Sequence, residues 1–384
     1  MFRKSIMLIL LFLITAFPLQ AQFGKNKVQY DNFKWKYIQS NHFDIFYHGD
    51  NYTIAEFTAQ EAEEAYNSIR NLLNWPLQKR YSIILYNSHS KFQQTNTYWG
   101  DISEGVGGFT ELFKNRIVLP FEGSYRDFRH VIHHEMVHAV MNDMYFGGSV
   151  QSIISGSVTL NIPLWLAEGT AEYESLRWDT QADMFMRDFA FNGQFPPMWA
   201  LSGYYAYKGG QSIIRFIHET YGMEKLTDFY GSLKATHSVS RSIRRIFNMS
   251  EEDFTKEWHK YIQKTFWPDI NFADDILNIS VRLTDHKKLN NYQNIAPSLS
   301  PDGSLIAFMS DRKGYADIFT MQTEDGKDVK KIVSGQRKVD LEELKWLSPG
   351  ISWSPDSKKI VFAAKSGAHD ALVVVNVKTK KQTF

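Results

Sequence analysis

Midway along the chain, His134-Glu135-Met136-Val137-His138 sets two imidazoles four residues apart inside an apolar stretch. On an α-helix, residues at that spacing lie about 40° apart around the axis and one turn along it, so both rings reach one point. The flanking Val131, Ile132, Val137, Ala139 and Val140 predict a buried helix. Polar side chains on a buried helix need partners, and a metal ion is the partner this spacing suits. Neutral imidazole nitrogens at about 2.0–2.1 Å supply two corners of a tetrahedral zinc site (Zn2+), and Glu135, beside the first of them, is placed to take a proton from an activated water. His130 shares the four-residue spacing with His134 but has no glutamate after it, and His133 points roughly 100° away from His134. Both read as surface or supporting groups.

A third donor is expected in Pro163-Leu164-Trp165-Leu166-Ala167-Glu168-Gly169-Thr170-Ala171-Glu172-Tyr173, where acids sit on a second predicted helix among apolar residues. Catalytic zinc sites commonly combine two histidines with a glutamate and keep the fourth position for water, which makes Glu168 the candidate ligand. The alternative is that Glu168 or Glu172 faces solvent, the ordinary fate of a glutamate.

A chain of 384 residues exceeds what one core usually supports, so two domains are expected. From Phe33 to about Lys264, short apolar runs alternate with helix-period stretches, the pattern of an α+β domain. Strands are predicted over Asn41–Tyr47, Tyr81–Tyr86 and Arg116–Pro120, the last reading as an edge strand because it stops at a proline. Helices are predicted over Ala55–Leu73 and Arg126–Met144, with another beginning near Leu164. Between about Pro268 and Leu289 the texture changes, giving a first domain at 33–267 and a second at 289–384. There Ser300-Pro301-Asp302-Gly303-Ser304-Leu305-Ile306-Ala307-Phe308 returns as Ser354-Pro355-Asp356-Ser357-Lys358-Lys359-Ile360-Val361-Phe362, each followed by a further apolar strand. Turn, strand and strand make part of a β-propeller blade. Propellers close with about four to eight blades, so two repeats predict an incomplete, all-β propeller segment in a sequence that is cut short.

Met1–Ala21 has the basic start, apolar run and small-residue exit of a secretory signal peptide. Export to the periplasm or cell envelope, or release outside the cell, is therefore expected. No second long apolar run follows, so no transmembrane segment is expected in the mature chain. With 43 basic and 42 acidic side chains, the net charge of +1 gives no reason to expect nucleic acid or anionic lipid as partner. Having no cysteine, the chain carries neither a lipidated cysteine nor disulfides.

The two histidine and glutamate motifs resemble those of gluzincin (thermolysin-like, Peptidase MA superfamily) zinc metallopeptidases, in which an H-E-x-x-H helix precedes a W-L-x-E-G-x-A-x-Y helix. Here these are His134-Glu135-Met136-Val137-His138 and Trp165-Leu166-Ala167-Glu168-Gly169-Thr170-Ala171-Glu172-Tyr173. The resemblance implies His134, His138 and Glu168 as zinc ligands, Glu135 as general base, and Glu172 as the acid that orients a ligand histidine. It also implies Tyr207, with Tyr205 behind it, as a phenol steadying the oxyanion, although the family's Y-x-K-G is not matched at its lysine. A packing role is the alternative for Tyr207. The G-x-M-E-N of the aminopeptidase branch is missing; Gly107-Gly108-Phe109-Thr110-Glu111 stands in the region of the substrate-pairing edge strand, leaving endopeptidase activity open. The C-terminal repeats resemble Tol-type periplasmic propellers. The resulting expectation is an exported zinc peptidase acting on peptides or proteins, with a possible envelope protein partner at the propeller. Its rivals are a non-catalytic envelope scaffold and, on aromatic content alone, a sugar-binding envelope protein.

Overall fold

A computed structural model describes residues 29–384 apart from 99, 101, 112–113, 148–161, 192–195, 271–278, 337–339, 347–349 and 368. The expected signal peptide at Met1–Ala21 lies outside the described residues.

The first part opens with β1 (Trp35–Gln39), β2 (Phe43–His48), α1 (Tyr52–Leu73), β3 (Tyr81–Tyr86), a short α2 (His89–Phe92), β4 (Phe109–Glu111), β5 (Arg116–Pro120) and α3 (Tyr125–Phe146). The strands form one mixed sheet in the order β1-β2-β3-β5-β4, with β2, β3 and β5 parallel and the two outer strands antiparallel. The period-2 alternation sends Phe43 and Ile45 of β2 and Tyr81 and Ile83 of β3 into the core. One expectation is corrected here: β5 lies inside the sheet between β3 and β4, and β4 is the edge. Pro120 is tolerated because it is the last residue of β5, where the missing N–H ends the ladder instead of interrupting it.

Helix α3 begins at Ser124, whose hydroxyl accepts the Asp127 N–H, and stops at Gly147, whose φ of 65° is the left-handed value that glycine adopts freely. A helical layer follows: α4 (Leu164–Leu176), α5 (Thr180–Phe191), α6 (Tyr204–Tyr221), α7 (Met223–Thr236), α8 (Val239–Phe247) and α9 (Glu251–Ile270). One apolar core joins sheet and helices, including Ile45, Ile83, Met136, Trp165, Ile213 and Trp258. Among the described residues no helix is long and apolar enough to cross a membrane.

After α10 (His286–Leu289) the regular elements among the described residues are all strands. Strands β6 (Asn294–Leu299), β7 (Leu305–Ser310), β8 (Asp317–Gln322) and β9 (Lys330–Ser334) form an antiparallel meander. In a second sheet, β12 (Lys359–Ser366) pairs with β10 (Glu343–Leu344), β11 (Ile351–Trp353) and β13 (His369–Asn376), and β13 with β14 (Gln382–Thr383). The repeated turn explains the repeated architecture: Ser300 donates to Asp302 and Ser354 to Asp356, each at 2.6 Å, and Gly303 and Ser357 take left-handed φ values of 73° and 57°. The two sheets share an apolar cluster containing Met309, Ile318, Phe362 and Val373. Among the described residues they form no closed ring, so the fold is a mixed α/β domain with two blade-like sheets, and the propeller remains an expectation.

Candidate metal centre

Helices α3 and α4 pack so that three donor atoms meet. His134 Nε2 and His138 Nε2 are 3.2 Å apart, and Glu168 Oε2 lies 3.1 Å from the first and 3.3 Å from the second. A tetrahedron with bonds of about 2.0–2.1 Å has edges of about 3.3–3.4 Å, so this triangle has the size of one face of a zinc site. A single N–H between the two imidazoles cannot also satisfy the Glu168 oxygen that lies within 3.3 Å of both, whereas one cation can be shared by the lone pairs of all three atoms. Burial works to raise the Glu168 carboxyl, but His134 and His138 outweigh it and hold it far below the usual carboxylate range. Burial likewise works to lower His134, yet Glu168 and Glu172 outweigh it and lift that imidazole to about 10. The pocket therefore demands positive charge at the triangle, and the residues fit a divalent cation of the zinc type.

Behind His134 stands a second set of contacts. Glu172, one turn after Glu168, places Oε1 3.1 Å from His134 Nδ1 and 3.6 Å from His130 Nε2. Its Oε2 is 2.6 Å from Lys208 Nζ, and Lys208 also lies 3.2 Å from Asp179 Oδ2 and 3.2 Å from Gln211 Oε1. Burial would raise Glu172, but the His134 contact and the Lys208 charge bring it down to about 2. An ionised Glu172 thus puts negative charge beside His134 Nδ1, although the approach is not angled as a hydrogen bond. His130 lines the pocket wall, donating or accepting at 3.0 Å with Ser175 Oγ, and burial pushes it down to about 4. His133 turns away toward Glu61, 3.7 Å distant. Lys208 and Asp179 were not singled out from the sequence. The sequence signal for Lys208 is its place next to Tyr207 near the start of α6.

Glu135 is buried at 6% exposure on the pocket side of α3. The Thr110 hydroxyl, on edge strand β4, lies 2.8 Å from Glu135 Oε2 and 2.9 Å from its carbonyl oxygen. Gly108 passes so close that a Cβ there would sit 3.2 Å from Glu135 Cγ and 2.9 Å from Leu119 Cδ2. Across the triangle, the Tyr207 ring stacks on His134 at 6.2 Å with planes 13° apart. Burial, and then Glu168, push its phenol well above the usual range, so it remains a hydrogen-bond donor. Tyr205 instead packs on Phe185 and Phe189, outside the pocket lining. The donors open onto a cavity of about 570 Å³ whose wall includes Tyr98, Val106, Phe109 and Asn142.

No curated protein matches this chain. Among solved structures, TolB from Acinetobacter baumannii is 21% identical over 24% of this chain and 20% of its own, with a TM-score of 0.19. An M1 zinc metallopeptidase from Deinococcus radiodurans is 14% identical over 58% of this chain and 50% of its own, with a TM-score of 0.36. An aminopeptidase N family protein from Idiomarina loihiensis is 8% identical over 90% of this chain and 67% of its own, with a TM-score of 0.26. The chain thus spans between 20% and 50% of the length of the TolB and M1 structures it matches. The Peptidase MA superfamily matches over residues 61–264, a span holding α3, α4 and the whole donor triangle, and the chain belongs to that superfamily.

Proposed function

We propose that this chain is an exported, zinc-dependent peptidase of the cell envelope that hydrolyses peptide bonds in peptides or proteins. His134, His138 and Glu168 hold the metal. When bound, zinc polarises the scissile carbonyl and makes water a nucleophile at neutral pH. Glu135 takes the water's proton and returns it to the leaving amine. Thr110 anchors Oε2 of that carboxylate, which leaves Oε1 as the oxygen that carries the proton. The Tyr207 phenol, kept protonated by burial and acidic neighbours, donates to the oxyanion. Among the described residues edge strand β4 pairs with β5 alone, and its other side is the one an extended substrate backbone would join.

The observation that carries this reading is the donor triangle of 3.1–3.3 Å with a buried glutamate next to its first histidine, facing an open cavity. A structural zinc would close its fourth position with protein, so the cavity favours a hydrolase over the scaffold reading. The test is casein-type proteolysis by wild type and Glu135→Gln, with zinc measured on both. Loss of cleavage with zinc retained supports the reading; equal cleavage by the two proteins refutes it.

A further inference from the structure

The wall of the cavity that faces α3 is built from Gly105 to Thr110, which has no regular structure until β4 begins at Phe109. Glycines at 105, 107 and 108 leave this stretch poor in conformational restraint of its own. Its anchors come from elsewhere. The Glu104 N–H points to Glu343 Oε1 of β10 at 3.3 Å, and the Trp346 N–H returns the contact to Glu104 Oε2 at 2.5 Å. Gln93 Nε2 donates to the Ile102 carbonyl at 2.7 Å and reaches Glu343 Oε2 at 3.4 Å. A ring nitrogen of His89 lies 3.2 Å from the Val106 carbonyl. Beside this clasp, Asp370 of β13 meets Ser90 Oγ at 3.1 Å and Lys345 Nζ at 3.2 Å.

Glu343 is 9% exposed, and its two oxygens accept from the Glu104 backbone N–H and from the Gln93 side-chain amide, so one side chain joins both anchors of the wall. At its far end the same wall reaches the catalytic carboxylate through the Thr110 hydroxyl, which donates to Oε2 at 2.8 Å, while the missing side chain of Gly108 leaves room for Glu135 Cγ beside it. A short run of backbone therefore links a carboxylate of the C-terminal sheet to the general base. We propose that Glu343 and Glu104 are positioning residues: the C-terminal β segment clamps the Glu104–Thr110 wall and so holds Thr110 and Glu135 in working alignment. This rests on the peptidase reading, and it gives the β segment a part in the rate of the reaction in addition to any partner it binds.

The test compares the full chain with Glu343→Ala and Glu343→Gln by amide hydrogen exchange, peptide-cleavage kinetics and zinc content. In Glu343→Ala, exchange across 102–110 should speed up about ten-fold and kcat should fall about ten-fold, with KM within about two-fold and zinc unchanged. Glu343→Gln should recover most of both effects, because its amide carbonyl still accepts the Glu104 N–H. If Glu343→Ala unfolds the β segment, Glu104→Ala, whose carboxylate receives the Trp346 N–H, carries the same comparison. Unchanged exchange in the alanine variant overturns the clamp, as does faster exchange with unaltered kcat. A wild type that cleaves nothing sinks the peptidase reading instead, and exchange alone then decides whether the clamp exists.

Discussion

A Cβ on Gly169 would fall 2.3 Å from the carbonyl carbon of Gly210, and one on Gly210 would fall 2.2 Å from the Trp165 carbonyl oxygen. Helices α4 and α6 therefore touch backbone to backbone, and this contact sets how far Glu168 and Glu172 stand from Tyr207 and Lys208. Backbone atoms cannot give way as a flexible side chain can. Gly169→Ala should cost about 1–3 kcal/mol, the range of overpacked cores, and lower the melting temperature by roughly 2–12 °C. Gly209→Ala meets only the tip of Leu201, at 3.2 Å, and gains helix propensity, so its change should stay within about 1 kcal/mol. Calorimetry on the two variants checks the contrast.

Lys208 is the cation between Glu172 and Asp179, and its side chain is only 3% exposed. Lys208→Met leaves two acids without their charge partner. Breaking a buried pair on one side costs about 3–5 kcal/mol, and the variant should also hold zinc less firmly because His134 loses its fixed neighbour. Zinc affinity by competition with a chelator dye, together with denaturant unfolding, measures both. Native-like stability with native-like affinity would remove Lys208 from the support of the site.

Tyr207→Phe removes one donor and leaves the ring that stacks on His134. Cleavage should fall about 10²–10³-fold in kcat, with zinc content and melting temperature close to wild type. A small change in kcat would return Tyr207 to the packing role that its stacking alone could explain.

The turn aspartate Asp302 is drawn down to about 2, chiefly by the Ser300 hydroxyl and then by the Ser304 backbone N–H. A depressed carboxyl contributes stability above its unfolded value, near 3.8, and loses it as pH falls through about 2. The Ser304 amide resonance should therefore stay put from neutral pH down to about 4 and move below that. Asp302→Asn should abolish the movement, as NMR titration would show.

What could be read from the sequence follows from range. Helix α3 and the placing of His134 and His138 on one face of it were legible because both rest on spacing within one element, and β3 and β5 fell on their expected residues. That Glu168 stands beside the two imidazoles was legible because an acid in an apolar helix needs a partner and the histidine pair offers one. Thr110, Asp179 and Lys208 were not, since each reaches the site from a different element and only tertiary packing brings it there. Pro120 misled because a proline at a strand terminus reads like one at a sheet edge until the neighbouring strand is placed. In the C-terminal part, the repeated Ser-Pro-Asp turn announced the hairpins, whereas ring closure depends on contacts between distant blades that two repeats cannot specify.

The central claim is that three side chains form a catalytic metal site, and metal content measures it most directly. Mass spectrometry of purified wild type, His138→Ala and Glu168→Ala, with casein-type cleavage assayed on the same samples, should find about one zinc per wild-type chain and loss of both metal and cleavage in each variant. A wild type that holds no metal after zinc loading, or variants that keep both metal and activity, would contradict the account.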